Sequence, residues 1–221
     1  MDDQDDREER LAQEVARLNA WFRRPTRTQA APPRHTQERE RIRRWAQGIL
    51  AADERWMILD TETTGFGNSD DIIEVAAVTP RGEVLLNTLI RPGRPIPREI
   101  TQITGIADHM VAGSPRFRAA WEQALAVPLR QRGIIAYNAP FDVRMLRQNI
   151  QRHCGVLWDP TSSDCLMRAY ASYRGERQTS GGYRSHKLGV ACAHMGISHD
   201  HAHRALDDCL VSAQLLRAMA E

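Results

Sequence analysis

Residues 56–65 read WMILDTETTG and join an apolar run to two acids that are one residue apart. The apolar run is typical of a buried strand, along which side chains alternate between the two faces of a sheet. Asp60 and Glu62 are therefore expected on one face, at the end of this strand. Neighbouring carboxylates repel each other, so a proton, a basic side chain or a cation has to neutralise them.

The segments that follow alternate between strand and helix patterns. Apolar residues at 72–78 and 84–90, joined by a turn at 80–83, predict a hairpin. Residues 134–137 predict a short buried strand, and prolines within 92–97 mark a loop. Helices are predicted at about 115–131, 140–152, 164–172, 186–195 and 204–219. This alternation predicts an α/β domain over residues 55–221.

Residues 1–54 form a predicted helical extension that differs in composition from the rest. Residues 2–9 hold six acids and one arginine, whereas residues 17–44 hold nine arginines. Apolar residues at helical spacing in 11–22 and 42–49 predict two helices joined by a proline-containing linker. The helices either pack on the main domain or dimerise, or they form an arm for nucleic acid or another acidic partner. The arginines of such an arm are Arg39, Arg41, Arg43 and Arg44.

Overall composition restricts where the protein works. The net charge of +2 identifies no partner, and the four cysteines have no C-x-x-C spacing, which is typical of reduced cytoplasmic thiols. The first ten residues are too acidic for a signal peptide, and no apolar run approaches the length that spans a bilayer. We expect a cytoplasmic protein with no membrane partner, and the sequence leaves its oligomeric state open.

Three separate segments deliver acids to what is expected to be one end of the sheet. Asp60 and Glu62 end the first strand, and Asp142 follows a candidate N-cap, Asn138. Asp207 and Asp208 lie on or beside the last predicted helix. Carboxylates in excess of basic partners favour Mg²⁺ or Mn²⁺. Residues i and i+2 of a strand are roughly 6.6 Å apart, so their side chains can converge on a shared metal.

These motifs resemble those of the DnaQ-like DEDDh exonuclease family, which includes the proofreading epsilon subunit of bacterial replicative polymerase. The matching segments are DTETTG at 60–65, NAPFD at 138–142 and His203 with Asp208 five residues later. Residues 103–106 and 163–165 resemble further signatures of the family. The resemblance covers about residues 55–217. It implies an RNase H-like fold, in which a mixed five-stranded sheet is flanked by helices.

The resemblance also implies hydrolysis of nucleic acid from the 3′ end to nucleoside 5′-monophosphates. Two Mg²⁺ or Mn²⁺ ions would be held by Asp60, Glu62, Asp142 and Asp208, and His203 would be the general base. The chemistry alone does not choose between Asp207 and Asp208, but the family spacing selects Asp208. One metal would lower the pKa of a bound water, and both would stabilise charge on the phosphate.

Further residues are candidates for contact with the substrate. The turn after the first strand offers hydroxyls and close backbone approach, and Phe66 is either a wedge against the last base or ordinary packing. Basic residues near Gly181 and Gly182 form either a phosphate clamp or a solvated loop. The candidates are Thr61, Thr63, Thr64, Gly65, Phe66, Asn138, Arg184 and Lys187. In one departure from the family, Tyr137 stands where the second motif often begins with histidine.

The sequence therefore predicts a 3′→5′ exonuclease that acts mainly on single-stranded DNA, in repair or proofreading. RNA as the substrate is one alternative, and a non-catalytic nucleic-acid-binding or polymerase-accessory module is another. Because the chain ends soon after the last predicted helix, a stand-alone enzyme is favoured over one bound to a polymerase.

Overall fold

The computed structural model describes residues 34–179, 181–199 and 203–221. Its centre is a five-stranded sheet with the order β3-β2-β1-β4-β5. The strands are β1 (Trp56–Thr63), β2 (Ile72–Val78), β3 (Val84–Leu89), β4 (Gly133–Ala136) and β5 (Ser163–Cys165). Strands β1, β2 and β3 pair antiparallel, whereas β4 runs parallel to both β1 and β5. The predicted mixed five-stranded sheet is confirmed.

Helices cover both faces of this sheet. They are α1 (Arg34–Ala51), α2 (Arg98–Thr104), α3 (Asp108–Val111), α4 (Phe117–Ala120), α5 (Ala126–Gln131), α6 (Ala139–Cys154), α7 (Leu166–Arg174), α8 (Leu188–His194) and α9 (Ala205–Ala220). A π-helical turn, Trp121–Leu125, joins α4 to α5. This irregularity lies where Pro128 of α5 has no N–H to donate to the preceding turn.

The alternation of β1 assigns its side chains to two different cores. Met57 and Leu59 belong to the core beneath α4, α5 and α6. Ile58 belongs to the opposite core, which α1, α7, α8 and α9 cover. Because side chains alternate along a strand, Asp60 and Glu62 share the face of Ile58 and lie towards α9. This is the same-face arrangement that the sequence predicts.

Helix α1 is part of the compact unit that begins at Arg34. Its residues Ile42, Ala46 and Ile49 are buried in the core beside α7 and α9. The second predicted helix of the extension therefore packs on the domain. The first predicted helix, at 11–22, lies outside the described residues, so the proposed boundary between residues 54 and 55 stays a prediction.

The four arginines suggested for an arm have partners within the domain or within α1. Arg39 donates to the Tyr173 hydroxyl (2.9 Å). Arg41 pairs with Glu38, and Arg43 and Arg44 both pair with Glu40.

Among the described residues, no helix is both long enough and apolar enough to span a bilayer.

Candidate active site

Strand β1 presents the first two acids of the site. Asp60 lies opposite Ala76 of β2, and Glu62 lies opposite Glu74, just before the pairing shifts at Thr63. The ladder fixes the backbone at both positions, so the separation of the two carboxylates is set by the strand itself.

Helix α6 brings the third acid to the same strand. Asp142 lies in the first turn of α6 and is only 3% exposed. Its Oδ1 accepts hydrogen bonds from the Thr61 backbone N–H (3.1 Å) and the Thr61 hydroxyl (2.8 Å). Asn138 occupies the N-cap position, although its side chain makes no capping hydrogen bond. The two hydrogen bonds from Thr61 therefore fix the position of the Asp142 carboxylate.

Helix α9 completes the group. Asp208 lies in its first turn and, with Asp60 and Glu62, offers carboxylate oxygens that all lie within 4.8 Å of one another. His199 contacts Asp208, with Nε2 and Oδ1 2.7 Å apart. The cluster holds Asp208 rather than its neighbour Asp207. Such a set of converging oxygens fits a hard divalent cation.

The electrostatics of the cluster explain why it needs a cation. Burial, followed by the charges of Asp142, Glu62 and Asp208, raises the pKa of Asp60 well above its usual value. Burial and the neighbouring acids raise the pKa of Glu62 to about 8. For Asp142, burial raises the pKa although the bonds from Thr61 oppose the shift. A bound divalent cation would neutralise this repulsion and allow the acids to ionise together.

Two residues that the sequence interpretation missed hold α9 against the sheet. Glu74 is 1% exposed and accepts two hydrogen bonds from Arg204, with Oε1 to Nη2 at 2.7 Å and Oε2 to Nε at 3.1 Å. Its Oε2 also accepts the Ala205 backbone N–H (3.0 Å). The start of α9 is therefore tied to β2. The sequence signal was available, because Glu74 is the single acid in the apolar strand IIEVAAV.

Comparison with known proteins gives the family of the chain. The model of the RNase T exonuclease family matches residues 57–216. An uncharacterized exonuclease of Escherichia phage 186 is 37% identical over 190 residues, which span 82% of this chain and 93% of the phage protein.

The chain belongs to the exonuclease family.

More distant relatives support the same assignment. The PolC-type DNA polymerase III of Thermotoga maritima is 32% identical over 184 residues, 81% of this chain, but the match spans only 13% of that polymerase. Exonuclease X, solved with 5′ overhanging duplex DNA, is 25% identical with a TM-score of 0.52 and covers 74% of this chain and 90% of its own. The nuclease domain of 3′hExo, a DEDDh family member bound to rAMP, is 17% identical to this chain with a TM-score of 0.60. The match covers 76% of this chain and 92% of that domain, and it shows the shared fold. The predicted family, fold and enzyme class are confirmed.

In this exonuclease, α6 fixes the loop that follows β1. One face of α6 donates side-chain hydrogen bonds to a series of loop carbonyls. Arg144 Nη2 bonds to Phe66 (3.1 Å), Gln148 Nε2 to Gly67 (3.1 Å) and Arg152 Nη2 to Asp70 (2.7 Å). These donors are four residues apart and therefore share a helix face. The loop is thereby held to the helix that carries Asp142.

Phe66 projects from this loop. Its side chain is 73% exposed, and its ring lies 5.8 Å from that of Phe141, the residue before Asp142. The Arg144 guanidinium lies over the Phe141 ring at 5.4 Å. An exposed aromatic held in a fixed loop beside the acids is suited to stacking on a base.

The hydroxyls of the turn are used within the turn itself. Thr63 donates to the Gly65 carbonyl (2.7 Å), and Thr64 donates to Asp70 Oδ1 (3.0 Å). A side chain at Gly65 would place its Cβ 2.7 Å from Asp70 Oδ2 and would displace Asp70 from its hydrogen bonds with Thr64 and Gly67. These contacts shape the turn and keep its backbone compact.

The remaining candidates lie outside the acid cluster. His203 is exposed, has a left-handed φ of 71° and makes no hydrogen bond or ion pair with another described residue. The left-handed conformation of His203 is uncommon for a non-glycine residue, and such conformations occur frequently at functional sites.

The two basic candidates also lie outside the acid cluster. Arg184 pairs with Glu176 (3.0 Å), and Lys187 is exposed at the N-cap of α8.

Tyr137, the departure from the family pattern, has a structural role here. Its side chain is 9% exposed, and its hydroxyl donates to the His186 carbonyl (2.7 Å). Tyr137 therefore ties the end of β4 to the segment that leads into α8.

Proposed function

We propose that this exonuclease hydrolyses mainly single-stranded DNA from its 3′ end, releasing nucleoside 5′-monophosphates, in DNA repair or proofreading. The observation that carries the proposal is the convergence of Asp60, Glu62 and Asp208 within 4.8 Å, with Asp142 fixed on the intervening Thr61. Four acids around one strand end are more than a single cation requires, which supports a pair of ions.

Asp60, Glu62, Asp142 and Asp208 would hold two Mg²⁺ or Mn²⁺ ions, which supply a water of lowered pKa and charge stabilisation at the phosphate. His203 would accept the proton of the attacking water, because imidazole is the side chain that most often transfers protons in catalysis at neutral pH. His199 would orient Asp208 through its 2.7 Å contact.

Phe66 and the turn before it would bind the terminal nucleotide. Phe66 would stack on a base, and the backbone of residues 63–65 would approach the sugar and phosphate closely. Arg184 and Lys187 would contact phosphates after Arg184 exchanges its surface partner Glu176, since exposed ion pairs contribute little to stability.

DNA is favoured because exonuclease X was solved with DNA and the Thermotoga relative is a DNA polymerase. RNA is the second candidate, since 3′hExo was solved with rAMP. Association with a polymerase is the less favoured proposal, because the phage 186 relative, which the match spans to 93%, is named an exonuclease.

Digestion of matched oligonucleotides tests the proposal. Single-stranded DNA and RNA of one sequence, each labelled at the 5′ end, are incubated with the full chain in Mg²⁺, Mn²⁺ or EDTA. We expect a ladder that shortens from the 3′ end, disappears in EDTA and forms faster with DNA. A faster RNA ladder would assign RNA as the substrate. Binding without cleavage in either metal would instead support an accessory role.

A further inference from the structure

A cleft of about 550 Å³ lies along the β5 edge of the sheet, away from the acid cluster. Helix α1 forms one wall with Arg41 and Trp45, and α6 forms the other with Pro140 and Arg147. Strand β5 and the exposed Arg168 of α7 complete the lining. Volumes of this size are typical of ligand sites.

The wall formed by α1 is not part of the matched family domain. The family model begins at residue 57, whereas Arg41 and Trp45 precede it. Trp45 is fixed in place because its indole N–H donates to Asp164 Oδ2 of β5 (3.1 Å). One wall of the cleft therefore lies outside the segment that the family model matches.

The charges of the cleft favour an anionic ligand. Three arginines line it, and Asp164, already bonded to Trp45, is the single acid among its lining residues. Arg168 makes no ion pair or hydrogen bond with another described residue. Arg41 and Arg147 pair with Glu38 and Asp159, but these pairs are on the surface and exchange partners at little cost.

The location of the cleft identifies the anion. Ala139 and Pro140 line it, and they belong to the same first turn of α6 as Asp142. A strand whose 3′ end lies at the acid cluster can therefore reach the cleft after passing the start of one helix. The hydroxyls of Ser163 and Ser172 add donors, and Trp45 adds an aromatic surface. Arginines, hydroxyls and an aromatic ring are the groups that bind single-stranded nucleic acid.

We infer that the cleft between α1 and α6 is a second binding site for the sugar-phosphate backbone, occupied by nucleotides upstream of the scissile end. This inference rests on the proposed function and extends it. Arg41, Arg147 and Arg168 contact phosphates in the cleft, so long substrates bind more tightly than those that fill the acid site alone.

Two triple variants of the full chain test the inference. The cleft variant is Arg41→Ala, Arg147→Ala and Arg168→Ala. The control variant is Arg55→Ala, Arg81→Ala and Arg130→Ala, which removes the same charge near the opposite ends of β1 and β4. Binding of 5′-labelled DNA of three and sixteen nucleotides is measured by fluorescence anisotropy in EDTA over a range of salt concentrations. Hydrolysis of the same oligonucleotides is measured in Mn²⁺, and thermal melting checks that both variants are folded.

We expect the cleft variant to bind the 16-mer about tenfold more weakly than wild type and to reduce the slope of log affinity against log salt by about 2. Its hydrolysis of the trinucleotide should equal that of wild type, and the control variant should keep the wild-type slope. Equal slopes for the two variants would overturn the inference. Absence of hydrolysis by wild type would overturn the proposed function instead, while the slopes would still test the cleft.

Discussion

Helices α6 and α9 each present an acid in the first turn, but they hold it by different means. Asp142 of α6 is 3% exposed and bonds directly to Thr61, between the two acids of β1. The side chain of Asp208 is 15% exposed and contacts His199, while Glu74 and Arg204 secure the start of its helix.

The difference shows two ways of positioning an acid beside the same strand end. The position of Asp142 follows from the strand that carries Asp60 and Glu62, so this part of the site is fixed as soon as α6 packs. The position of Asp208 depends on partners in β2 and in the segment before α9. Adjustment of the site is therefore expected at α9, whereas α6 serves as its fixed reference.

The largest expected effect tests whether both helices are equally necessary. We predict that Asp142→Asn and Asp208→Asn each lower kcat/KM by about 10⁴-fold, about 5.5 kcal/mol, because a lost metal ligand removes charge stabilisation at the phosphate. The matched control is Asp207→Asn, next to Asp208 but outside the cluster, which should stay within about threefold of wild type. A severe loss in Asp207→Asn would contradict the assignment of Asp208.

Substitutions of the two histidines before α9 are expected to lower activity to different extents. His203→Ala should lower kcat by about 10²–10⁴-fold if it is the general base. His199→Ala should cost about 10–100-fold and raise the Mn²⁺ concentration needed for half-maximal rate, because His199 orients a ligand. Rates measured across Mn²⁺ concentrations separate the two roles. The reverse order of effects would make His199 the general base.

The ion pair between Glu74 and Arg204, which secures the start of α9, can be removed by substituting one partner or both. Arg204→Met should lower the free energy of unfolding by about 3 kcal/mol, because it leaves the buried Glu74 carboxylate without its charged partner. The double variant Glu74→Leu with Arg204→Met should be less destabilised than Arg204→Met alone. Urea unfolding of the variants measures both values, and equal losses would show that the buried charge is not the cause.

The smallest effect concerns the far end of α6, where Asp71 accepts bonds from Gly93 (2.8 Å), Arg152 (2.7 Å) and His153 (2.9 Å). Burial alone would raise the pKa of Asp71, but these bonds and the Arg152 charge outweigh it and lower the pKa. A lowered folded-state pKa gives stability that is present above the unfolded value of about 3.9 and is lost as the pH falls through the folded value.

Asp71→Asn should therefore lower the free energy of unfolding by about 1–2 kcal/mol at pH 7. The difference from wild type should shrink steadily below about pH 4. Urea unfolding at pH 7, 5 and 3 measures it. A difference that is the same at all three values would exclude the ionised carboxylate as the source.

The parts of the fold that the sequence predicted are those decided by local patterns. Alternation placed Asp60 and Glu62 on one face of β1, and the hairpin of β2 and β3 is confirmed. The predicted helix at 164–172 instead begins at Leu166, because Ser163, Asp164 and Cys165 pair with β4. Three residues are too few to establish a strand period. Helices α2 and α3 lie beyond the proline-marked loop and were not predicted. Their apolar residues form a small third core together with Ile73 of β2.

The features of the fold and of the site that the sequence did not predict depend on contacts between residues far apart in the chain. Nothing within β2 indicates that Glu74 meets Arg204, which lies 130 residues later. The contact of His199 with Asp208 was also missed, because the spacing of the family motif drew attention to His203. The cleft beside α1 has no local signal at all, since it exists only where three helices meet the edge of the sheet.

The order of the acids along the chain has a consequence during synthesis. Asp60 and Glu62 leave the ribosome long before Asp208, which lies on the last helix that the structure describes. The group of carboxylates therefore cannot assemble on a partly translated chain. Any cleavage that depends on the complete group therefore begins only after α9 has been synthesised and has packed on the sheet.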